Sequence, residues 1–226
     1  MAFGPIMQFK VGELQIELAP LTREAMSEFV DYGHGGGMQR YTVTRYLSRR
    51  TSPVLEDEYE WFDKVRTSKD EIVWGIWVLE DKSRTLIGSS GLHGISTGFT
   101  RQATSGSLIF RPEYWGKGIA SAAHKARTWY AFQHLGLHRI RSSVMHGNGG
   151  SSKALSRSGY TYVYTERNEQ FVDGKLIHMD CFECLNPLDL FWNQWWHGDR
   201  PPAAALRARK LTREAYVWAE QHVELR

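Results

Sequence analysis

Apolar and polar residues alternate from Leu14 to Leu21, the period of a half-buried strand, and Pro20 closes it. Thr22 stands where a helix N-cap belongs, with Glu24 and Glu28 on a helix expected to run to Asp31. Gly33–Gly37 reads as a flexible loop between helices. Leu55, Tyr59, Phe62 and Val65 then form a helical stripe within 55–69. Three strand-like segments follow, Glu71–Leu79, Thr85–Ile95 and Ala103–Phe110, the last stopped by Arg111-Pro112, and their short connections predict an antiparallel meander.

A helix is expected over Gly116–Leu135, with Ile119, Ala122, Ala123, Ala126, Trp129, Tyr130 and Phe132 on its apolar face and Gly136 as its C-cap. Arg139–Met145 alternates as a strand, His146–Gly150 breaks it, and Ser151–Ser158 is a short helix stopped by Gly159. Two final strands, Tyr160–Glu166 and Leu176–Leu185, are joined through the hairpin signal Asp173-Gly174. Strands in runs with helices inserted predict an α+β fold, a mixed, mostly antiparallel twisted sheet flanked by helices. One domain over 1–187 accounts for this pattern. Residues 188–226 form an extension: Leu188–His197 carries Phe191, Trp192, Trp195 and Trp196, and Ala203–Arg226 reads as a terminal helix with Arg and Lys on one side.

Composition narrows the class of protein. The chain has 226 residues, 42 % hydrophobic and 13 % aromatic, enough for a packed core. No stretch approaches the ~18 uninterrupted apolar residues of a membrane span, and Met1–Met7 lacks the pattern of a signal peptide. A cytoplasmic protein without membrane association is expected. Cys181 and Cys184 form a lone C-x-x-C with no second ligand pair, so reduced strand cysteines and no metal are expected. The net charge of +3 and a pI near 8.8 fall short of a nucleic-acid signature and suit an anionic cofactor equally well. Basic residues beside tryptophans in the extension leave nucleic acid open without favouring it. Packing of these aromatics on the domain, or a homodimer formed through the extension, is the commoner use of such a surface.

The segment Tyr114-Trp-Gly-Lys-Gly-Ile-Ala120 joins a strand to a long helix. Backbone amides in such a turn converge, and the helix N-terminus adds positive partial charge, which together suit a phosphate or pyrophosphate. A simple turn is the commoner use of G-x-G. The spacing excludes a Walker A loop, because neither Ser nor Thr follows Lys117. It also excludes the dinucleotide fingerprint, whose third glycine is here Ser121.

Over roughly residues 11–186 the chain resembles the GNAT superfamily of acyl-CoA-dependent N-acetyltransferases, with the ribosomal-protein N-terminal acetyltransferases (RimJ/RimL type) as the nearest branch. Four segments carry the resemblance: Arg45-Tyr-Leu47 with Glu56-Asp-Glu58 and Trp61-Phe62; Ile87-Gly88 with Gly91-Leu-His93; Pro112-Glu-Tyr-Trp-Gly-Lys-Gly-Ile-Ala120; and Leu135–Ile140 with Asn148, Ser151 and Gly159-Tyr160. It implies the acyl-CoA N-acyltransferase fold and acetyl-CoA as acyl donor. Leu108, Ile109 and Phe110 would pair with the pantetheine arm, Trp115, in the loop where many other members have Gln or Arg, would be a cofactor-binding residue, and Gly116, Lys117, Gly118, Ile119, Ala120 and Ser121 would hold the pyrophosphate. Asn148 would bond the pantetheine amides or close a turn. Ser151 would contact the thiol or cap its helix.

The implied reaction is attack of a neutral primary amine on the thioester, which needs a base for the ammonium, a donor for the oxyanion and stabilisation of the thiolate. The amide near Ile109 is the expected oxyanion donor. His93, Glu113 and Glu166 are the candidate bases, or ordered water relays the proton. Val163-Tyr164 stands where the family commonly has Glu-Gly, and His178 where an Asp is expected, so the acceptor side departs from the pattern more than the donor side. The resemblance favours a protein or peptide N-terminus as acceptor. A small-molecule amine (polyamine, amino acid, aminoglycoside), a nucleic-acid-linked amine, or a non-catalytic acyl-CoA-binding module are the alternatives.

Overall fold

The computed structural model describes residues 2–31, 37–47, 51–81 and 83–226; positions 33–36 of the expected glycine loop lie outside them. The chain forms two compact units, the first made of Met1–His93, Gly106–Ile119 and Glu224–Arg226, the second of Gly94–Ser105 and Ala120–Val223.

In the first unit, β1 (Met7–Val11), β2 (Leu14–Ala19), β3 (Ile72–Glu80), β4 (Ser83–Ser96) and the end of β5 (Gln102–Ile109) are neighbours in that order. The β1–β2, β2–β3 and β3–β4 pairs are antiparallel. β3 is buried from Ile72 through Val78, as a strand covered on both faces must be, which explains its unbroken apolar run. Helices α1 (Met26–Val30) and α3 (Leu55–Thr67) supply Met26, Phe29 and Val65 to a core shared with Leu21, Val73, Trp77, Leu86 and Phe110. A four-residue helix, α2 (Tyr41–Thr44), adds Val43.

The first helix is shorter than expected. Thr22 Oγ1 accepts the Ala25 N–H at 3.4 Å and closes a turn ahead of α1 instead of capping it, and the helix starts at Met26. β1 was not expected, although Met7, Phe9 and Val11 do alternate with Gln8 and Lys10. The terminal helix also stops early, at His222, because β9 (Glu224–Leu225) pairs antiparallel with Met7 and Gln8 of β1.

In the second unit, the start of β5 lies beside β6 (Arg139–Met145), then β8 (Lys175–Leu185) and β7 (Thr161–Val172). β5 and β6 run parallel, while β6–β8 and β7–β8 are antiparallel, so the sheet is mixed. Asp173 and Gly174 both have positive φ, 52° and 74°, which makes the two-residue hairpin turn that the sequence signals. Helix α4 (Ile119–Gln133) starts three residues later than expected and closes through Gly136 at φ 59°, with the Leu137 N–H on the Ala131 carbonyl.

Helices α5 (Gly149–Ser156), α6 (Asp189–Trp196) and α7 (Ala203–His222) complete this unit. α7 crosses so close to Gly159 (φ 88°) that a Cβ there would lie 2.7 Å from Thr212 Cα, and Thr212 Oγ1 donates to the Gly159 carbonyl at 3.1 Å. The Arg209 guanidinium stacks 4.5 Å over buried Trp192, and Arg209 and Arg213 both bond the Asp189 carboxylate. The basic side of α7 is therefore partly engaged within its own unit. Cys181 and Cys184 are free thiols, and burial pushes the Cys184 thiol up to about 12. Among the described residues no helix is long and apolar enough to cross a membrane, and no group of His, Cys, Asp or Glu is arranged to hold a metal ion.

Candidate active site

The glycine loop is built from the end of β5. After Ile109 the chain turns through a 3-10 segment, Pro112–Tyr114, and the Trp115 indole N–H reaches back to donate to the Ile109 carbonyl at 2.8 Å. This bond fixes the loop's entry and was not foreseen from the sequence. Arg111 anchors the same turn: its Nε–H donates to the Leu86 carbonyl at 2.9 Å and its guanidinium pairs with Glu28. Gly116 and Gly118 then take φ of 75° and 86°, the left-handed region that side chains resist.

Among the described residues, no backbone bond outside helices and strands engages the N–H groups of 116–120. The first four N–H groups of any helix lack intrahelical partners, so the loop and the entry to α4 present unengaged amides. A Cβ at Gly116 would meet nothing within 4 Å, so that side of the turn is open. Lys117 places its ammonium 5.2 Å over the Tyr114 ring, adding positive charge beside these amides, and Ile119 is buried. These groups fit a pyrophosphate. Ala120 and Ser121 belong to the second unit and lie in the opening turn of α4.

Leu108, Ile109 and Phe110 divide by strand alternation. The Phe110 N–H donates to the Ile87 carbonyl at 2.9 Å, so this amide is engaged and unable to pair with a cofactor as expected. Gly88 permits the close approach: a Cβ there would overlap the Leu108 carbonyl oxygen and come 3.0 Å from Ile109 Cα. The alternation directs the Ile109 N–H to the opposite edge, leaving it as the expected oxyanion donor.

In the second unit the parallel ladder between β5 and β6 covers only Gln102–Thr104 with Arg139–Arg141. From Ser142 to Met145, β6 pairs with β8 alone among the described residues. That open edge ends at the turn carrying Asn148 and Ser151. Asn148, not Ser151, caps α5: its Oδ1 accepts the Ser151 N–H at 3.3 Å. The helix begins two residues earlier than expected, which removes Ser151 from the cap position and leaves its hydroxyl outside the capping bond.

The candidate bases are scattered. His93 lies over a floor of two glycines, since a Cβ on Gly91 or Gly106 would come 2.9 or 3.2 Å from its Nε2, and its Nδ1 is 3.6 Å from Glu71 Oε1. Glu113 is exposed on the 3-10 turn, 4.0 Å from Arg111. Glu166 accepts a hydrogen bond from the Tyr164 hydroxyl at 3.1 Å. Two polar clusters in the second unit have no signature in the sequence. One is buried: Arg127 donates to His124 Nδ1 at 2.7 Å, and burial, followed by the Arg127 charge, holds the His124 pKa well below its ordinary value. The other joins His146 to Asp180 at 3.1 Å. Both span residues distant in sequence or lie in positions that read as ordinary helix and strand.

Comparison with known proteins assigns the architecture. The family model described as an acetyltransferase (GNAT) domain matches residues 15–161. A curated Bacillus subtilis protein, Probable N-acetyltransferase YjcK, is 29 % identical over 151 residues, covering 67 % of this chain and 73 % of the relative. Among solved structures, Vibrio cholerae spermidine N-acetyltransferase in complex with CoA and spermine is similar with a TM-score of 0.65 at 21 % identity, covering 76 % of this chain and 95 % of that one. Mycobacterium smegmatis RimJ in complex with CoA-disulfide is similar with a TM-score of 0.69 at 15 % identity, covering 99 % of this chain and 97 % of that one. With a glycine turn of unengaged amides and a family match over most of its length, this chain belongs to the GNAT acetyltransferase family and is an acyltransferase whose donor is acetyl-CoA.

Proposed function

We propose that the chain acetylates a primary amine at a protein or peptide N-terminus. The turn at 116–119 would hold the coenzyme A pyrophosphate through its amides, and the Ile109 N–H would stabilise the oxyanion. Asn148 and Ser151, in the second unit, keep the roles that the family pattern implies: Asn148 toward the pantetheine amides through its Nδ2 and Ser151 toward the departing thiolate.

The observation that supports a peptide acceptor is coverage. The similarity to RimJ extends over 99 % of the chain and so includes the C-terminal extension, whereas that to the spermidine enzyme covers 76 %. A polyamine acceptor is the second reading, supported by the spermine in the Vibrio complex and by the exposed Glu56 and Glu60 on α3. Release of coenzyme A thiol from acetyl-CoA, measured with Ser- and Ala-initiated hexapeptides and with spermidine, separates the two. The peptides are expected to turn over with the higher kcat/KM. A higher value for spermidine overturns the peptide assignment, and no release with any acceptor overturns amine acetylation.

A further inference from the structure

The exposed one of the two polar clusters carries catalytic chemistry through His146, the residue directly after β6. Its Nδ1 lies 3.1 Å from Asp180 Oδ2 on β8. A carboxylate only accepts hydrogen bonds, so Nδ1 carries the proton and a neutral His146 keeps its lone pair on Nε2. The side chain is 69 % exposed, which leaves Nε2 accessible.

Asp180 is itself held. Thr165 Oγ1 donates to Asp180 Oδ1 at 2.9 Å, and because that hydroxyl proton is committed, the Tyr162 hydroxyl must be the donor in its 2.9 Å contact with Thr165. The result is a chain from Tyr162 through Thr165 and Asp180 to His146. A bulge creates it: the β7–β8 register passes from Tyr162↔Phe182 to Tyr164↔Cys181, skipping Val163, and so brings Thr165 opposite Asp180. Bulges re-aim side chains in this way. His178, two residues before Asp180 on the same face of β8, is turned to another task, since its Nδ1 accepts the Asn168 N–H at 3.0 Å. Among the described residues, the titratable groups against His146 are Asp180 and His178, both on β8.

Position ties this pair to the chemistry. The open edge of β6, Ser142–Met145, runs directly into His146, and the Asn148 N–H closes the turn onto the Met145 carbonyl at 3.0 Å. His146 therefore sits on the same tight turn as Asn148 and Ser151. We propose that His146 is the general base of the amine acetylation argued above, with Asp180 and Thr165 as its positioning residues. Nε2 removes one proton from the acceptor ammonium, giving a free amine and an imidazolium that faces Asp180. The amine nitrogen forms the new C–N bond, the C–S bond breaks, and the second amine proton leaves with the thiolate as coenzyme A thiol. The imidazolium returns its proton to solvent.

The test compares kcat/KM against pH for the intact protein and for His146→Gln and Asp180→Asn, using acetyl-CoA with the Ser-initiated peptide and with spermidine. His146→Gln should lose about 100-fold in kcat at pH 7, with acetyl-CoA affinity by calorimetry within twofold, and should recover as pH approaches the acceptor's own pKa. Asp180→Asn should retain more activity than His146→Gln and lower kcat while leaving the KM for acetyl-CoA within twofold, because the imidazole keeps its Nε2 lone pair but loses the carboxylate that orients it. A His146→Gln protein that keeps more than a third of its kcat at pH 7, or loses equally at pH 7 and 9, overturns the proposal while leaving the transferase reading intact. A wild-type protein that releases no thiol overturns both.

Discussion

Replacing Gly118 by alanine isolates the conformational demand of the glycine turn. At φ 86° an L-residue is strained, while the added Cβ would find only Val11 Cγ1 at an ordinary 3.7 Å, so steric overlap contributes nothing. The strain of a left-handed conformation is about 1–2 kcal/mol. Where that cost appears follows from the hydrogen bonding. The amides of 116–120 are held by no loop bond among the described residues, so in the free protein the turn can relax with little loss of stability. Binding pyrophosphate requires the amides to converge again, and the strain then returns as a reduced fraction of competent molecules. Acetyl-CoA affinity should fall roughly 5- to 30-fold, since 1.4 kcal/mol corresponds to tenfold. Isothermal titration calorimetry at one fixed ionic strength measures it, with Gly98→Ala as control because Gly98 has no positive φ and only Ser96 Oγ, 4.0 Å away, near its added Cβ. A Gly118→Ala dissociation constant within twofold of the parent's would refute the argument, as would an equal loss in the control.

Two further substitutions test the second unit. Gly159→Ala combines a φ of 88° with a Cβ 2.7 Å from Thr212 Cα and 2.8 Å from its nitrogen; left-handed strain and overpacking together should cost about 2–5 kcal/mol in urea unfolding, and a loss below about 1 kcal/mol would show that α7 does not rest on Gly159. His124 supplies a pH dependence. Its folded pKa lies well below the ordinary 6.5, so the folded state binds fewer protons than the unfolded one, and the stability from keeping it neutral is present above that value and lost as pH falls below it. The midpoint temperature should drop between pH 7 and pH 5, and His124→Gln should flatten that slope; an unchanged slope would remove His124 as the cause.

Much of the fold was legible because hydrophobic period and turn chemistry are local. Arg139–Met145 was read to the residue, and Asp173-Gly174 with their positive φ form the turn that their identities demand. Errors gathered at helix starts, where the competing hydrogen bond decides the boundary: Thr22 closes a turn before α1, and Asn148 rather than Ser151 caps α5. β9 has only two residues, too few for any period, and exists because β1 offers it an edge.

By itself, the sequence determined the α+β order of elements, the glycine turn at 116–118 and, through its resemblance, acetyl-CoA as the donor. These depend on residues adjacent in the chain, whose backbone preferences and spacing do not require a partner. The tertiary structure alone decided which polar groups meet. The Phe110 N–H is taken by the Ile87 carbonyl, His146 gained a carboxylate because the β6–β8 pairing sets Asp180 beside it, and a bulge at Val163 brings Thr165 opposite that same Asp180. Hydrogen bonds between distant strands depend on register, and a shift of one residue reverses which side chains face each other.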